Sequence, residues 1–149
     1  MRHWLVAAGV YNLAWGAAVV LAPAWTVRLL GIAPLDVAAD AEPVFRALCQ
    51  IWGCVGMVIG VYGIGYLIAA RDPARHWPIV LVGFLGKIFG PIGFAIAAAR
   101  GDLPWSMGWT LLTNDFLWWI PFALILRHAR QASRSGPPSL VVSASGTAS

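Results

Sequence analysis

Lys87 stands near the middle of an apolar run over residues 78–99, and Asp115 near the middle of another over 105–126. A charge at such a depth costs a few kcal/mol or more unless it is paired or faces water, so it marks a functional-site candidate. The chemistry open to the two is complementary. Asp115 is a candidate general acid or base, and Lys87 a candidate for stabilising negative charge.

Helical arithmetic places both at one depth. At ~1.5 Å per residue, Lys87 lies about 14 Å from the start of its run and Asp115 about 15 Å from the start of the next. A buried Lys87–Asp115 pair is the expectation, with Asn114, Asn12, Gln50 and Tyr11 available for the remaining donors and acceptors. With Trp118 these form the candidate ligand-binding set. The alternative role for the pair is a polar staple that fixes helix register.

Other chemistry-bearing residues give weaker patterns. His3, His76 and His128 each fall at the edge of an apolar run on one predicted rim, which makes them metal or haem candidates, but no close ligand pair such as His-x-x-x-His occurs. The expectation is no metal and no resident cofactor. Cys49 and Cys54 are five apart in one run, so their side chains diverge by about 140° around a helix at 3.6 residues per turn. They read as inert core thiols, since apolar surroundings suppress the thiolate. Neither a nucleophile elbow, a phosphate loop nor a His-Glu-x-x-His motif is present.

The elements that must position these residues follow from composition. Hydrophobic residues make up 60% of the 149-residue chain and charged residues 11%, with a mean hydropathy of +0.75. Soluble domains carry about 25% charged residues. Four runs, 4–21, 44–70, 78–99 and 105–126, approach the ~20 apolar residues that a spanning helix needs. The fold class expected is all-α: an integral membrane four-helix bundle of up-down topology. Its transmembrane domain covers residues 1–130, and a Ser/Gly/Pro/Ala-rich tail over 131–149 is expected to be disordered. Residues 22–43 are too short and mixed to cross; Trp25, Val27, Leu29 and Leu30 suit a brief interfacial helix. Ala22-Pro23-Ala24 looks like a signal cleavage site, but the polar and aromatic Tyr11, Asn12 and Trp15 favour a retained first helix.

With four spans, Arg2, Arg71, Arg75, Arg127, Arg130 and Arg134 share one side, against Arg28, Arg46 and Arg100 on the other. The excess predicts that both termini are cytoplasmic, and Asp36, Asp40, Glu42 and Asp102 then fall outside. The net charge of +4 is explained by this topology. Membrane lipids are the expected partner, and no nucleic acid.

Nine tryptophans are a high load. Trp4, Trp25, Trp77 and Trp105 fall at expected membrane boundaries. Trp15, Trp52, Trp109, Trp118 and Trp119 lie deeper, packing among helices or lining an apolar cavity. Gly53, Gly56, Gly60 and Gly63, and then Gly83, Gly86, Gly90 and Gly93, form two smooth stripes, so Gly56-xxx-Gly60 and Gly86-xxx-Gly90 read as helix-contact faces. Lys87 borders the second stripe and is expected to aim into the bundle. Pro91 and Pro121 each frees a carbonyl within about six residues of a charge, where a kink would widen the bundle.

The stretches Gly9-Val-Tyr-Asn-Leu-Ala-Trp-Gly16, Trp52-Gly-Cys-Val-Gly-Met57, Tyr62-Gly-Ile-Gly-Tyr66, His76-Trp-Pro78, Gly83-Phe-Leu-Gly-Lys-Ile-Phe-Gly-Pro91 and Asn114-Asp-Phe-Leu-Trp-Trp-Ile-Pro-Phe122 together resemble a group of small bacterial four-span membrane proteins of uncharacterised function. The resemblance implies a bacterial cytoplasmic (inner) membrane location. Members sometimes carry the label alkyl hydroperoxide reductase, which implies a peroxidatic cysteine in a thioredoxin-like fold, and these residues do not support it. A looser similarity to DoxX-like membrane proteins rests on size and span count.

Three functions remain open. The first is binding of a lipophilic or amphiphilic small molecule, or service as a membrane accessory subunit, around Lys87 and Asp115. The second is a membrane enzyme of isomerase or hydrolase type acting on a lipophilic substrate. The third is a proton-coupled transporter, which with four spans would work as a homo-oligomer or with a partner membrane subunit.

Overall fold

The computed structural model describes residues 1–32 and 43–134, and among these the chain is helical with no strand. Helix α1 spans Arg2–Leu21, α2 Pro23–Leu29, α3 Pro43–Ala69 and α4 Trp77–Ala99. The last segment is a composite: a 3-10 turn Trp105–Gly108, a short α5 Trp109–Leu111, a π turn Leu112–Phe116 and α6 Leu117–Arg134. Among the described residues four helices are long and apolar enough to cross a membrane: Arg2–Leu21, Pro43–Ala69, Trp77–Ala99 and Trp105–Ala132. Helix α6 carries on through Arg134, so residues 131–134 of the expected tail are helical. The rest of that tail, 135–149, and the acidic stretch holding Asp36, Asp40 and Glu42 lie outside the described residues.

Local chemistry explains the boundaries. Pro23 opens α2 at a position where its missing N–H is no loss. Gly31 and Gly101 adopt φ of 72° and 82° just beyond α2 and α4, the left-handed geometry that ends a helix at little cost in glycine. A short helix is present where one was expected, and it is latched down. Trp52 of α3 donates its indole N–H to Thr26 Oγ1 at 2.9 Å, and Val27 packs with Phe45 and Cys49.

Glycine sets the closest helix approach, and the expected Gly56-xxx-Gly60 face packs against α1. A Cβ on Gly9 would sit 2.9 Å from the Gly63 carbonyl, and one on Gly16 would sit 2.7 Å from the Gly56 carbonyl. Residue numbers rise on α1 as they fall on α3, so these two helices pack antiparallel through paired glycines seven residues apart. Gly53 and Gly60 are not closed off by side chains, and a Cβ on either meets nothing within 4 Å. The expected Gly86-xxx-Gly90 contact face, by contrast, is corrected: among the described residues a Cβ on Gly86 meets nothing within 4 Å, and one on Gly90 only Asp115 Oδ1 at 3.7 Å. Those glycines line open space.

The larger of two core clusters lies at the other end of the bundle from the Val27–Phe45–Cys49 contact. Leu5 and Ala8 of α1, Tyr66, Ala69 and Ala70 at the end of α3, Val80 of α4, and Trp118, Phe122 and Ile125 pack together. Arg2 Nε seals that end by donating to the Ala70 carbonyl at 2.9 Å. Toward the opposite end the helices enclose cavities. Outward-facing Val10, Ile51, Val61, Phe89 and Ile120 are exposed, as suits lipid contact.

Candidate functional site

Lys87 and Asp115 are both buried, each 4% exposed, and both face one chamber of about 170 Å³ between α1, α3, α4 and the π turn. Asn12 and Asn114 share its wall, with Tyr62, Tyr66, Gly83 and Gly86. Tyr66 forms the floor, fully buried, with its hydroxyl where a Cβ on Gly83 would lie. Glycine at 83 is what admits the phenol.

The π turn decides how the two charges meet. In it the Leu117 N–H reaches back five residues to the Leu112 carbonyl, and such a bulge loosens the carbonyl ladder beside it. Neighbouring carbonyls then take side-chain donors. The Lys87 ammonium donates to the Asn114 main-chain carbonyl, and the Trp118 indole donates to that of Thr113 at 2.9 Å. The Asn114 side-chain amide donates to Asp115 Oδ1 at 3.1 Å. The two charges of the expected pair are both buried and are joined through Asn114, with its backbone bound to Lys87 and its side chain to Asp115.

A second contact locks the same two segments. Pro91 has no N–H to give the carbonyl four residues before it, which is that of Lys87. The Trp119 indole supplies the missing donor at 2.9 Å. Lys87 thus holds the last span through both its ammonium and its main chain.

The remaining expected ligand residues fall into two groups. Tyr11 and Trp118 brace the site from behind: Tyr11 donates its hydroxyl to Thr113 Oγ1 at 3.0 Å, and the two rings lie 5.9 Å apart. Gln50 is exposed on α3 and does not reach the chamber. Of the metal candidates, His3 and His128 are exposed, and His76 Nδ1 meets the Asp72 carbonyl at 3.0 Å. Among the described residues no three metal-ligating side chains are grouped. Cys49 is buried as expected, but Cys54 is exposed, which corrects its reading as a core thiol.

A larger antechamber of about 370 Å³ adjoins the first, sharing Val55, Ile59, Gly86, Asn114 and Asp115 with it. Its own walls include Trp15, Trp52 and Phe94, and it extends toward Leu30 after α2 and Met107 before α5. Asp115 looks into both spaces. Together they form an apolar passage that ends in a small polar chamber, the arrangement typical of small-molecule sites.

Sequence reasoning located four of the chamber residues and missed Tyr62 and Tyr66. Their spacing of four on a helix that also carries the glycine stripe was the available signal.

Asn12 is one of the polar residues of the chamber wall. Asn12 is 4% exposed, and among the described residues its Oδ1 has no hydrogen-bond partner. A buried acceptor without a donor costs about 1–3 kcal/mol.

No family model, curated protein or solved structure matches the chain.

Proposed function

We propose that this chain is an integral membrane protein that binds an amphiphilic small molecule, with its polar head in the Asn12–Lys87–Asn114–Asp115 chamber and its apolar part in the Trp15–Trp52–Phe94 antechamber. The observation that carries this reading is the chamber itself, where the buried Lys87 and Asp115 face one space that adjoins an apolar antechamber. The head carries an acceptor for Lys87 and a donor for Asp115, both of which line the chamber. A space of about 170 Å³ corresponds to about five or six waters at ~30 Å³ each, room for one compact polar group.

The proposal includes an up-down arrangement of the spans in a bacterial cytoplasmic membrane, with both termini cytoplasmic. The arginine excess at one end supports that orientation, and the resemblance to small bacterial four-span proteins supports the compartment. The antechamber then opens toward the external leaflet. A second reading, an enzyme using Asp115 as general acid or base, is favoured by the placement of this carboxylate at the junction of both spaces.

Native mass spectrometry of protein purified in mild detergent tests the reading, with Gly86→Leu beside wild type. A Cβ at position 86 meets nothing within 4 Å, and Gly86 lines the chamber, so the leucine is placed to fill it. A small amphiphile retained by wild type and lost from a folded Gly86→Leu protein is the expected result. Retention of the same molecule by both proteins, or an empty wild type, overturns it. Recovery of a chemically altered molecule from wild type alone selects the enzyme reading.

A further inference from the structure

We infer that the outer groove between α4 and α6 is a binding site for one anionic phospholipid, with the phosphate on Arg127 and Arg130 and an acyl chain along the apolar floor. The groove encloses about 600 Å³ and is distinct from the inner chambers, with which it shares no lining residue. Its floor is Leu81, Leu85 and Ile88 of α4 with Leu126 of α6, and the two arginines close one end.

Three observations specify this occupant. Arg127 and Arg130 are three apart on one helix, so their guanidinium groups rise from the same face, and the planar forks suit a phosphate with two oxygens exposed. Both are exposed, and among the described residues no carboxylate is paired with either. The depth also fits a lipid. Trp77 begins α4 and is half exposed, as an interfacial tryptophan is. Leu81 follows it by about 6 Å, and the floor from Leu81 to Ile88 runs about 10 Å further along the helix at ~1.5 Å per residue. The charges therefore sit at headgroup level and the floor at acyl level.

The surrounding field favours an anion. Arg2, Arg71 and Arg75 lie at the same end, and the nearby Asp72 carboxylate is engaged by the Arg75 main-chain N–H at 3.1 Å. A headgroup without net charge gains little from such a field, whereas each basic residue near an acidic lipid contributes about 1 kcal/mol.

The test is native mass spectrometry of delipidated full-length protein titrated with phosphatidylglycerol or phosphatidylcholine of the same acyl chains. Wild type is expected to hold one phosphatidylglycerol in clear preference to phosphatidylcholine. Arg127→Gln/Arg130→Gln lowers that affinity by about thirtyfold, the loss of two basic contacts, while Arg71→Gln/Arg75→Gln, outside the groove, changes it by less than about threefold. Leu85→Trp, which fills the floor and leaves every charge in place, also lowers retention and keeps the test valid should the double arginine variant fail to fold. Equal losses in the two arginine pairs would show diffuse surface charge and overturn the site. Equal binding of the two lipids, or displacement of the lipid one for one by glycerol phosphate, overturns it as well.

Discussion

The Trp119 indole N–H donates to the Lys87 carbonyl at 2.9 Å, in the place of the backbone N–H that Pro91 lacks. Proline inside a spanning helix is tolerated where a neighbour satisfies the freed carbonyl, and here that neighbour is a side chain of another span. Trp119→Phe is expected to destabilise the fold by about 1–3 kcal/mol, because the carbonyl is then left without a donor. Pro91→Ala returns the backbone N–H, so Trp119→Phe should cost much less in that background. The check is a double-mutant cycle read by denaturant unfolding in detergent. An equal cost in both backgrounds would mean that the indole is not standing in for the missing donor.

The paired glycines of α1 and α3 give a contrast within one helix type. A Cβ on Gly16 would lie 2.7 Å from the Gly56 carbonyl and 2.8 Å from the Gly60 nitrogen, whereas one on Gly53 meets nothing within 4 Å. Gly16→Ala is expected to lower stability by about 1–3 kcal/mol through overpacking against backbone. Gly53→Ala should be neutral or stabilising by up to about 1 kcal/mol, the helix propensity difference. Thermal unfolding of the two variants in one detergent decides this, and similar losses in both would contradict the packing described.

The four spans were legible because apolar run length is written directly in composition, and their observed limits differ from the expected ones by only a few residues except at the end of α6. The two central charges were legible for the same reason: an apolar context makes any charge conspicuous. The π turn was not. Thr113, Asn114 and Asp115 are three polar residues in succession with modest helix propensity, a pattern that weakens a helix without specifying a widened turn. The glycine stripes showed where backbones have no side chains, but a missing Cβ permits either close packing or a cavity. The surrounding helices decide between them, and no single segment encodes that choice. That a proline frees a carbonyl was likewise readable, while the donor that answers it lies 28 residues later in the chain, at Trp119.

Asn114 connects the two charges through groups that mutation separates. Lys87→Met strands both the Asn114 carbonyl and the Asp115 carboxylate, and a loss of about 3–5 kcal/mol is expected, as when one member of a buried pair is removed. Asn114→Ala keeps the carbonyl and deletes only the amide that donates to Asp115, so about 1.5–3 kcal/mol is expected, the range for a hydrogen bond to a charged group. Adding Asp115→Leu to Lys87→Met should recover much of the larger loss. Unfolding measurements on the four proteins with wild type test the order. A loss from Asn114→Ala matching that of Lys87→Met, or no recovery in the double variant, would remove the Asn114 link between the charges.

Tyr62 separates the inner chamber from an apolar groove of about 630 Å³ on the outer face of α3 and α4. Val58 and Tyr62 line both spaces. The groove is bounded by Met57, Val61, Ile79 and Val82, and it offers a lipophilic molecule a side path from the bilayer to Lys87 and Asp115. Under the ligand-binding proposal, Tyr62→Ala opens that wall, and exchange of the bound amphiphile should quicken by more than about tenfold, a barrier change of about 1.4 kcal/mol. Tyr62→Phe keeps the ring and should leave exchange near the wild-type rate. Release of the co-purified amphiphile into lipid nanodiscs, timed by native mass spectrometry, gives both rates. Unchanged exchange in Tyr62→Ala would assign the traffic to the antechamber and the α2 end of the bundle. Faster exchange would place the route between α3 and α4, where glycine at 65 already keeps the helices close: a Cβ there would stand 3.2 Å from Ile79 Cγ2.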